Sequence, residues 1–238
     1  MKRFTKATVV AVAFGLLGTA TSVHAIATLR ISADLGATWV TVRDIDGDGS
    51  VTFSGSVGTV GNMWSVSLAA GETKPAVGSE QDPIMNVSTL DVSSLAAGTL
   101  LIEFSDKSFT APLIGDHFTT SLSSQNSAGG NTSLQTYWDS ANTMFARTTR
   151  LGRIVETGAD DAVMLDSTSA IPDSGLYALT VRIAVFHGEV GSSSFSAGLV
   201  DPPTAAGLPE NGSTFALLGM ALLGMLGFGR FRNRLGAA

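Results

Sequence analysis

The chain has 238 residues, of which 14% are charged and none is cysteine, and its formal net charge is −6. The lack of cysteine excludes disulfides, thiolate metal sites and a cysteine nucleophile. Low charge with 44% hydrophobic residues is typical of an exported all-β domain with a real core, and excludes a disordered chain.

Basic residues at the two ends hide an acidic body. Six of the 14 basic residues lie near the ends, namely Lys2, Arg3, Lys6, Arg230, Arg232 and Arg234. Positions 26 to 207 retain 8 basic and 19 acidic residues, a net charge near −11. Such a body repels phosphate backbones, so we predict no nucleic-acid partner. A divalent cation or a neutral polysaccharide is easier to accommodate.

Residues 1–25 have the pattern of a secretory signal peptide. Three basic residues precede the apolar run Ala7–Thr19, and Val23-His24-Ala25 gives small residues at the cleavage positions. We predict cleavage by signal peptidase after Ala25, with Ala27 as the alternative. A transmembrane anchor is the other interpretation, but the apolar run ends before the roughly 20 residues that a span needs.

Between residues 28 and 200 the sequence alternates apolar and polar residues in short runs separated by Gly, Asn, Asp and Ser. This pattern predicts about ten antiparallel strands. About ten strands with scarcely any helical periodicity suggest two packed sheets, that is, a β-sandwich of the jelly-roll kind. The predicted strands are Leu29–Ser32, Thr38–Arg43, Val51–Ser56, Met63–Leu68, Leu100–Phe104, Phe118–Leu122, Ser133–Trp138, Met144–Thr148, Tyr177–Val185 and Phe195–Leu199.

One acidic segment, residues 44–51, has the spacing of half a calcium loop. Asp44, Asp46 and Asp48 occupy loop positions one, three and five, and a glycine follows. Position twelve is Gly55 instead of the glutamate that completes such a loop. Because predicted strands flank the segment, we favour a hairpin turn and expect no metal or cofactor, with a Ca²⁺ site at the three aspartates as the alternative.

Catalytic candidates are few. After cleavage only His117 and His187 remain, and neither has metal-ligand spacing; we place both at strand ends near the surface. No nucleophile elbow precedes a helix. Asp160, Asp161 and Asp166 are predicted to form a solvated acidic loop. We therefore predict a protein that is not an enzyme.

Four aromatic residues offer a different function. Trp39, Trp64, Trp138 and Tyr137 would stack sugar rings if they shared an exposed face, whereas we favour core packing for each. Clustering of Trp64, Trp138 or Tyr137 on one exposed face would favour a carbohydrate-binding module, and burial of all of these would exclude it.

The carboxy-terminal end has three parts with separate physical roles. A linker from Asp201 leads to Leu208-Pro209-Glu210-Asn211-Gly212-Ser213-Thr214, whose proline and glycines favour an extended strand that a membrane peptidase would bind. An apolar segment at 215–229 follows. The chain then continues with Arg230, Arg232 and Arg234. These arginines are expected to stay on the cytoplasmic side of the membrane and to act as a stop-transfer signal. A permanent single-span anchor is the alternative, although the apolar run is short for one.

This tail resembles the PEP-CTERM sorting signal of Gram-negative, polysaccharide-producing bacteria. Pro209, Glu210, Ser213 and Thr214 match the family's V-P-E-P-[SA]-T pattern with one residue inserted, and Ala216-Leu217-Leu218-Gly219 continues the match. Asn211-Gly212 replaces the second proline and is closer to the V-P-D-[SG]-G variant. The resemblance covers about thirty residues and implies processing by an exosortase-type transpeptidase.

The sequence thus predicts five segments: a signal peptide at 1–25, a β-sandwich at 26–200, linker and sorting motif at 201–214, a transmembrane helix at 215–229 and a basic cytoplasmic tail at 230–238. We expect an inner-membrane precursor that becomes a cell-surface or secreted protein, non-enzymatic and associated with exopolysaccharide. A carbohydrate-binding module is the alternative function, followed by a secreted hydrolase.

Overall fold

A computed structural model describes residues 26–110, 117–127, 129–157, 159–166 and 175–201. The predicted signal peptide with its cleavage site at Ala25 lies outside the described residues. So do the sorting motif Leu208–Thr214, the apolar segment and Arg230, Arg232 and Arg234. These assignments stay predictions.

Twelve strands and no helix make up the regular structure of the described residues. The strands are β1 (Thr28–Ser32), β2 (Val40–Arg43), β3 (Ser50–Thr59), β4 (Asn62–Glu72), β5 (Ile84–Ser94), β6 (Gly98–Phe109), β7 (Thr119–Asn126), β8 (Gly130–Asp139), β9 (Thr149–Glu156), β10 (Ala159–Asp166), β11 (Tyr177–His187) and β12 (Gly191–Val200). No helix able to cross a membrane occurs in this part of the chain.

The strands form two six-stranded antiparallel sheets. Sheet A has the order β2-β1-β6-β11-β8-β9, and sheet B has the order β10-β7-β12-β5-β4-β3. The prediction of an all-β protein with two antiparallel sheets is confirmed. We call the face of each sheet that points away from the other sheet its outer face.

Alternation along the strands builds the core between the sheets. In β11, Leu179, Val181 and Ile183 are fully buried, as the period of two predicts. Val181 pairs with Phe104 of β6 and Ile183 pairs with Ile102, which are also fully buried. The largest buried side chains, with less than 2% exposure, include Trp64, Tyr177, Phe104, Phe109 and Phe118.

One predicted strand is wrong. Residues 144–148 belong to the loop between β8 and β9, and the strand begins at Thr149. Asn142 and Phe145 have positive φ angles of 56° and 60°, which a strand does not accommodate. The loop is held in this shape by Asp139, which accepts hydrogen bonds from the backbone N–H of Thr143 and the hydroxyl of Thr148.

Three strands, β5, β9 and β10, were not predicted. In β5 the buried apolar residues include Met85 and Val87 at odd positions but Val92 at an even one. A bulge lies between them, because β12 pairs Phe195 with Thr89 but Ser193 with Val92. The extra residue interrupts the period of two on which the prediction depends.

The predicted acidic loop at Asp160, Asp161 and Asp166 is also wrong, because these residues lie in β10. This strand pairs with β7 along its whole length and forms an edge of sheet B. Asp160 and Asp161 lie at a shift in strand register between Ala159 and Asp161.

The two sheets approach each other closely at Gly71, and a substitution there tests the packing between them. A methyl group at Gly71 would lie 2.7 Å from Cδ2 of Phe104, so Gly71→Ala should lower the free energy of unfolding by about 1–3 kcal/mol. Ser65→Ala, at an exposed position of the same strand, should change it by less than about 0.5 kcal/mol. Urea unfolding measures both. Equal stability of the two variants would contradict the packing described here.

Candidate ligand-binding site

A row of paired charges crosses the outer face of sheet A. Antiparallel register places Arg30 of β1 and Arg182 of β11 on either side of Glu103 in β6. The Glu103 carboxylate is 1% exposed; its Oε2 accepts hydrogen bonds from Arg30 Nε at 2.8 Å and Nη2 at 2.5 Å. Arg182 Nη1 lies 3.3 Å from Oε1. The carboxylate is therefore neutralised by two cations whose own side chains are about one-fifth exposed.

Two aromatic rings enclose Arg30. Its guanidinium carbon lies 4.3 Å from the ring centroid of Trp39 and 3.8 Å from that of Phe145. Cation–π contacts of this kind fix the guanidinium plane. With Nε and Nη2 bound to Glu103, the Nη1 group makes no hydrogen bond to any described residue.

The loop between β1 and β2 positions Trp39. Asp34 accepts hydrogen bonds from the hydroxyl and the backbone N–H of Thr38 and from the hydroxyl of Ser32, which together lower its pKa to about 2. Gly36 has a φ of 94°, and a Cβ there would lie 3.1 Å from the Trp39 ring. The ring thus packs closely over a glycine that also makes the turn.

The loop between β8 and β9 positions Phe145. Although burial opposes ionisation of Asp139, its hydrogen bonds from Thr148, Thr143 and Ala141 hold its pKa below the usual value. Asn142 Oδ1 accepts a 2.7 Å hydrogen bond from the backbone N–H of Ser108, which ties this loop to β6. Phe145 N–H in turn donates to the Ser105 hydroxyl at 3.0 Å.

These elements surround a cavity of about 660 Å³, which we call the Arg30 cavity. A β-bulge contributes to it, since Lys107 and Ser108 both lie opposite Ala178 of β11 where the register shifts. Ser108 has a φ of 64°, which suits the bulge. The cavity is lined by Ile26, Thr28, Arg30, Trp39, Thr41, Arg43, Lys107, Ser108, Met144 and Phe145.

The lining combines half-buried aromatic rings, hydroxyl groups and cations, with no carboxylate among the lining residues. Its volume is within the range of small-molecule sites. Sequence reasoning identified Trp39 but missed Arg30, Lys107 and Phe145. Arg30 and Glu103 both fall in predicted strands, yet only the strand register brings them together.

The aromatic platform considered from the sequence does not form. Trp64 is fully buried, and Trp138 packs against the core. Tyr137 pairs with Thr180, whereas Trp138 pairs with the buried Leu179, so these neighbours point to opposite faces of sheet A. Core packing holds for Trp64 and Trp138. Trp39 instead lines the Arg30 cavity.

The acidic segment 44–51 is not a hairpin, because β2 belongs to sheet A and β3 to sheet B. The segment crosses between the sheets. Ligand atoms of Asp44, Asp46 and Asp48 lie within 4.8 Å of one another. Asp44 is 2% exposed and accepts hydrogen bonds from the N–H groups of Gly47, Asp48 and Gly49. These hydrogen bonds hold the crossing segment in place.

The two histidines differ in their surroundings. His187 ends β11 as predicted, but it is 1% exposed instead of lying at the surface. Its Nδ1 lies 2.8 Å from the Ser94 hydroxyl and its Nε2 2.9 Å from the Ser193 hydroxyl, with the Trp64 ring centroid 4.6 Å away. Burial lowers the pKa of His187 despite the opposing charge of Asp91. His117 is exposed.

No protein-family model and no curated protein matches the chain. Among solved structures, TmCBM61 in complex with β-1,4-galactotriose aligns with a TM-score of 0.31 and 8% identity, over 58% of this chain and 84% of that one. The arabinose-bound α-L-arabinofuranosidase MgGH51 aligns with a TM-score of 0.30 and 13% identity, over 69% of this chain and 25% of that one. The VP2 subviral particle of infectious bursal disease virus aligns with a TM-score of 0.23 and 12% identity, over 75% and 65%.

The Asp44 hydrogen bonds predict how the crossing responds to mutation and to calcium. Asp44→Ala leaves three N–H groups without their acceptor, including the buried one of Gly49, and should lower the free energy of unfolding by about 2–3 kcal/mol. Asp46→Ala, at an exposed position, should be nearly neutral. Millimolar calcium should leave the wild-type Tm unchanged in a thermal scan.

A calcium site occupied at a hundred times its Kd would instead add about 2.7 kcal/mol. A calcium-dependent rise of several degrees that disappears in Asp46→Ala would therefore contradict the interpretation of this segment as a hydrogen-bonded crossing.

Proposed function

We propose that the chain is an exported, non-enzymatic protein of the bacterial surface or extracellular matrix whose β-sandwich contacts a polysaccharide at the Arg30 cavity. The observation that carries this proposal is the pair of half-buried rings, Trp39 and Phe145, beside the hydroxyl groups of Thr28, Thr41 and Ser108. A sugar ring has an apolar C–H face that packs on an aromatic ring. Its hydroxyls exchange hydrogen bonds with polar lining groups.

Export and sorting in this proposal rest on the two ends of the sequence. The signal peptide would direct export, with cleavage by signal peptidase after Ala25. The segment from Leu208 to Thr214 would be recognised by an exosortase-type enzyme while the apolar helix and Arg230, Arg232 and Arg234 hold the precursor in the inner membrane. Cleavage there would release the sandwich or attach it at the surface.

We also infer a jelly-roll arrangement for β5 to β12. These eight strands are divided equally between the sheets, in the orders β5-β12-β7-β10 and β6-β11-β8-β9. This order supports two interleaved Greek keys. In this view β1–β4 extend the two sheets at one side, and the Arg30 cavity lies on the added strands of sheet A and on β6.

A carbohydrate-binding module proper is the second candidate function, and Trp39 favours it because its ring lines a cavity instead of the core. A hydrolase has less support. His187 contacts two serine hydroxyls between the sheets and faces no described carboxylate at hydrogen-bond distance. We therefore propose binding without catalysis.

The sorting proposal predicts two different failures. Replacing Arg230, Arg232 and Arg234 by Ser removes the topological stop, so uncleaved precursor should reach the periplasm. Changing Pro209 and Glu210 to Ala keeps the anchor but removes the recognised strand, so full-length protein should accumulate in the inner membrane. Fractionation with intact-mass analysis measures both.

Asn233→Ser changes the same tail without removing charge and should be processed normally. Release of both mutants with the wild-type carboxy terminus would show that the segment is not a processed sorting signal.

The polysaccharide proposal predicts a specific role for Trp39. Trp39→Ala should weaken binding to the exopolysaccharide of the producing cells by about 1–2 kcal/mol, a factor of five to thirty, whereas Trp39→Phe should retain most of the affinity. Phe186→Ala removes a 40%-exposed aromatic ring from β11, outside the Arg30 cavity. Affinity electrophoresis compares the variants. Equal losses for Trp39→Ala and Phe186→Ala would contradict binding at this cavity.

A further inference from the structure

Charge is divided between the two sheets of this acidic protein. The strands of sheet A carry Arg30, Arg43, Lys107, Arg150, Arg153 and Arg182, and the strands of sheet B carry no basic residue. The four acidic residues of the sheet A strands, Glu103, Asp106, Asp139 and Glu156, are each no more than 5% exposed. Sheet A therefore presents cations to solvent while the carboxylates of its strands are buried.

The Arg30 cavity lies within this basic region. Arg30, Arg43 and Lys107 line it, and Arg43 and Lys107 make no ion pair with any described carboxylate. Glu103 lies beneath Arg30 and is compensated by Arg182 as well. The lining thus keeps positive charge that the protein itself does not neutralise.

Arg30 is also pre-organised for an anion. Trp39 and Phe145 fix its plane and Glu103 holds two of its nitrogens, so its Nη1 donors keep a defined direction. A guanidinium held in this way loses little conformational entropy when it binds a carboxylate. Charge-assisted hydrogen bonds to carboxylates are among the strongest polar contacts in proteins.

We propose that the Arg30 cavity binds an acidic sugar unit, with the carboxylate directed to Arg43, Lys107 and the Nη1 group of Arg30, and the sugar ring against Trp39. This inference rests on the proposed polysaccharide function and specifies the ligand's chemistry. A carboxylate-bearing pyranose matches all three parts of the lining, since it combines an anion, hydroxyl groups and an apolar ring face. A simple inorganic anion would contact the cations but would not use the aromatic rings or the hydroxyl groups of the lining.

Net charge alone pointed to a divalent cation or a neutral polysaccharide as the ligand. The body has a net charge near −11, and an acidic polymer would be repelled by the protein as a whole at long range. At about 0.15 M salt the Debye length is about 8 Å, so exposed charges on the far side of the sandwich are largely screened. The local cations then decide which ligand binds.

The test compares matched polymers and matched variants of the exported protein at about 0.15 M salt. The probes are polygalacturonate, alginate and hyaluronan, each beside its carboxyl-reduced form, with polyphosphate as an anion that contains no sugar. Arg43→Gln and Lys107→Gln remove cavity cations. Arg153→Gln, an exposed position of β9 outside the cavity, removes the same charge and serves as the control.

We expect at least one native uronate polymer to bind about tenfold or more tightly than its reduced form. Arg43→Gln and Lys107→Gln should each weaken that binding by about tenfold, because each removes a charge-assisted contact. Arg153→Gln should change it less than about twofold, and thermal scans should show that all three variants keep the wild-type Tm.

Three results would overturn the inference. Equal binding of native and reduced polymers, still sensitive to Trp39→Ala, would show a neutral-sugar site and leave the proposed function intact. Polyphosphate bound as tightly as the uronates, with Arg153→Gln as harmful as Arg43→Gln, would show general anion binding and remove both proposals. Absence of binding to all three native polymers would contradict the acidic-sugar site.

Discussion

Glu103 is a carboxylate on the outer face of sheet A, where an exposed side chain would be expected, yet it is almost completely shielded from water. The shielding is tolerable because Arg30 and Arg182 meet it from the neighbouring strands. Removing one member of a buried ion pair typically costs about 3–5 kcal/mol, since the remaining charge is left uncompensated. The position of the Arg30 guanidinium, which the two rings contact, depends on this carboxylate.

Two loops complete the site because each is stabilised by its own aspartate. Asp34 holds the turn that presents Trp39, and Asp139 holds the turn that presents Phe145. Both loops pack over the same face, so a surface that a simple sandwich leaves open becomes a cavity. Binding residues on loops over a rigid sheet scaffold are a common arrangement in proteins.

The strands of the two sheets differ in their basic residues. Antiparallel pairing across β1, β6, β11, β8 and β9 gathers cations from distant parts of the chain on one sheet, while every strand of sheet B lacks them. Contacts between the sheets are apolar at the centre and hydroxyl-rich at some positions, such as the 2.8 Å contact between Thr120 and Thr136. The basic residues of the strands therefore all belong to one sheet, whereas the carboxylates of Asp106 and Glu156 are buried and contact residues at or in sheet B.

The sequence by itself determined the two-sheet all-β class and most strands, because apolar alternation such as that of β11 follows directly from burial of one face. It did not reveal β5, whose bulge breaks the alternation, or β10, where aspartates occur in a strand. For the site it indicated Trp39 as an aromatic of interest, and placed Asp44 in a turn between strands. Only the tertiary structure decided that this turn crosses between sheets, and that Arg30 lies beside Glu103, 73 residues away in the chain. The reason is physical: period two tells which face a side chain takes, whereas strand order and register decide which side chains meet on that face.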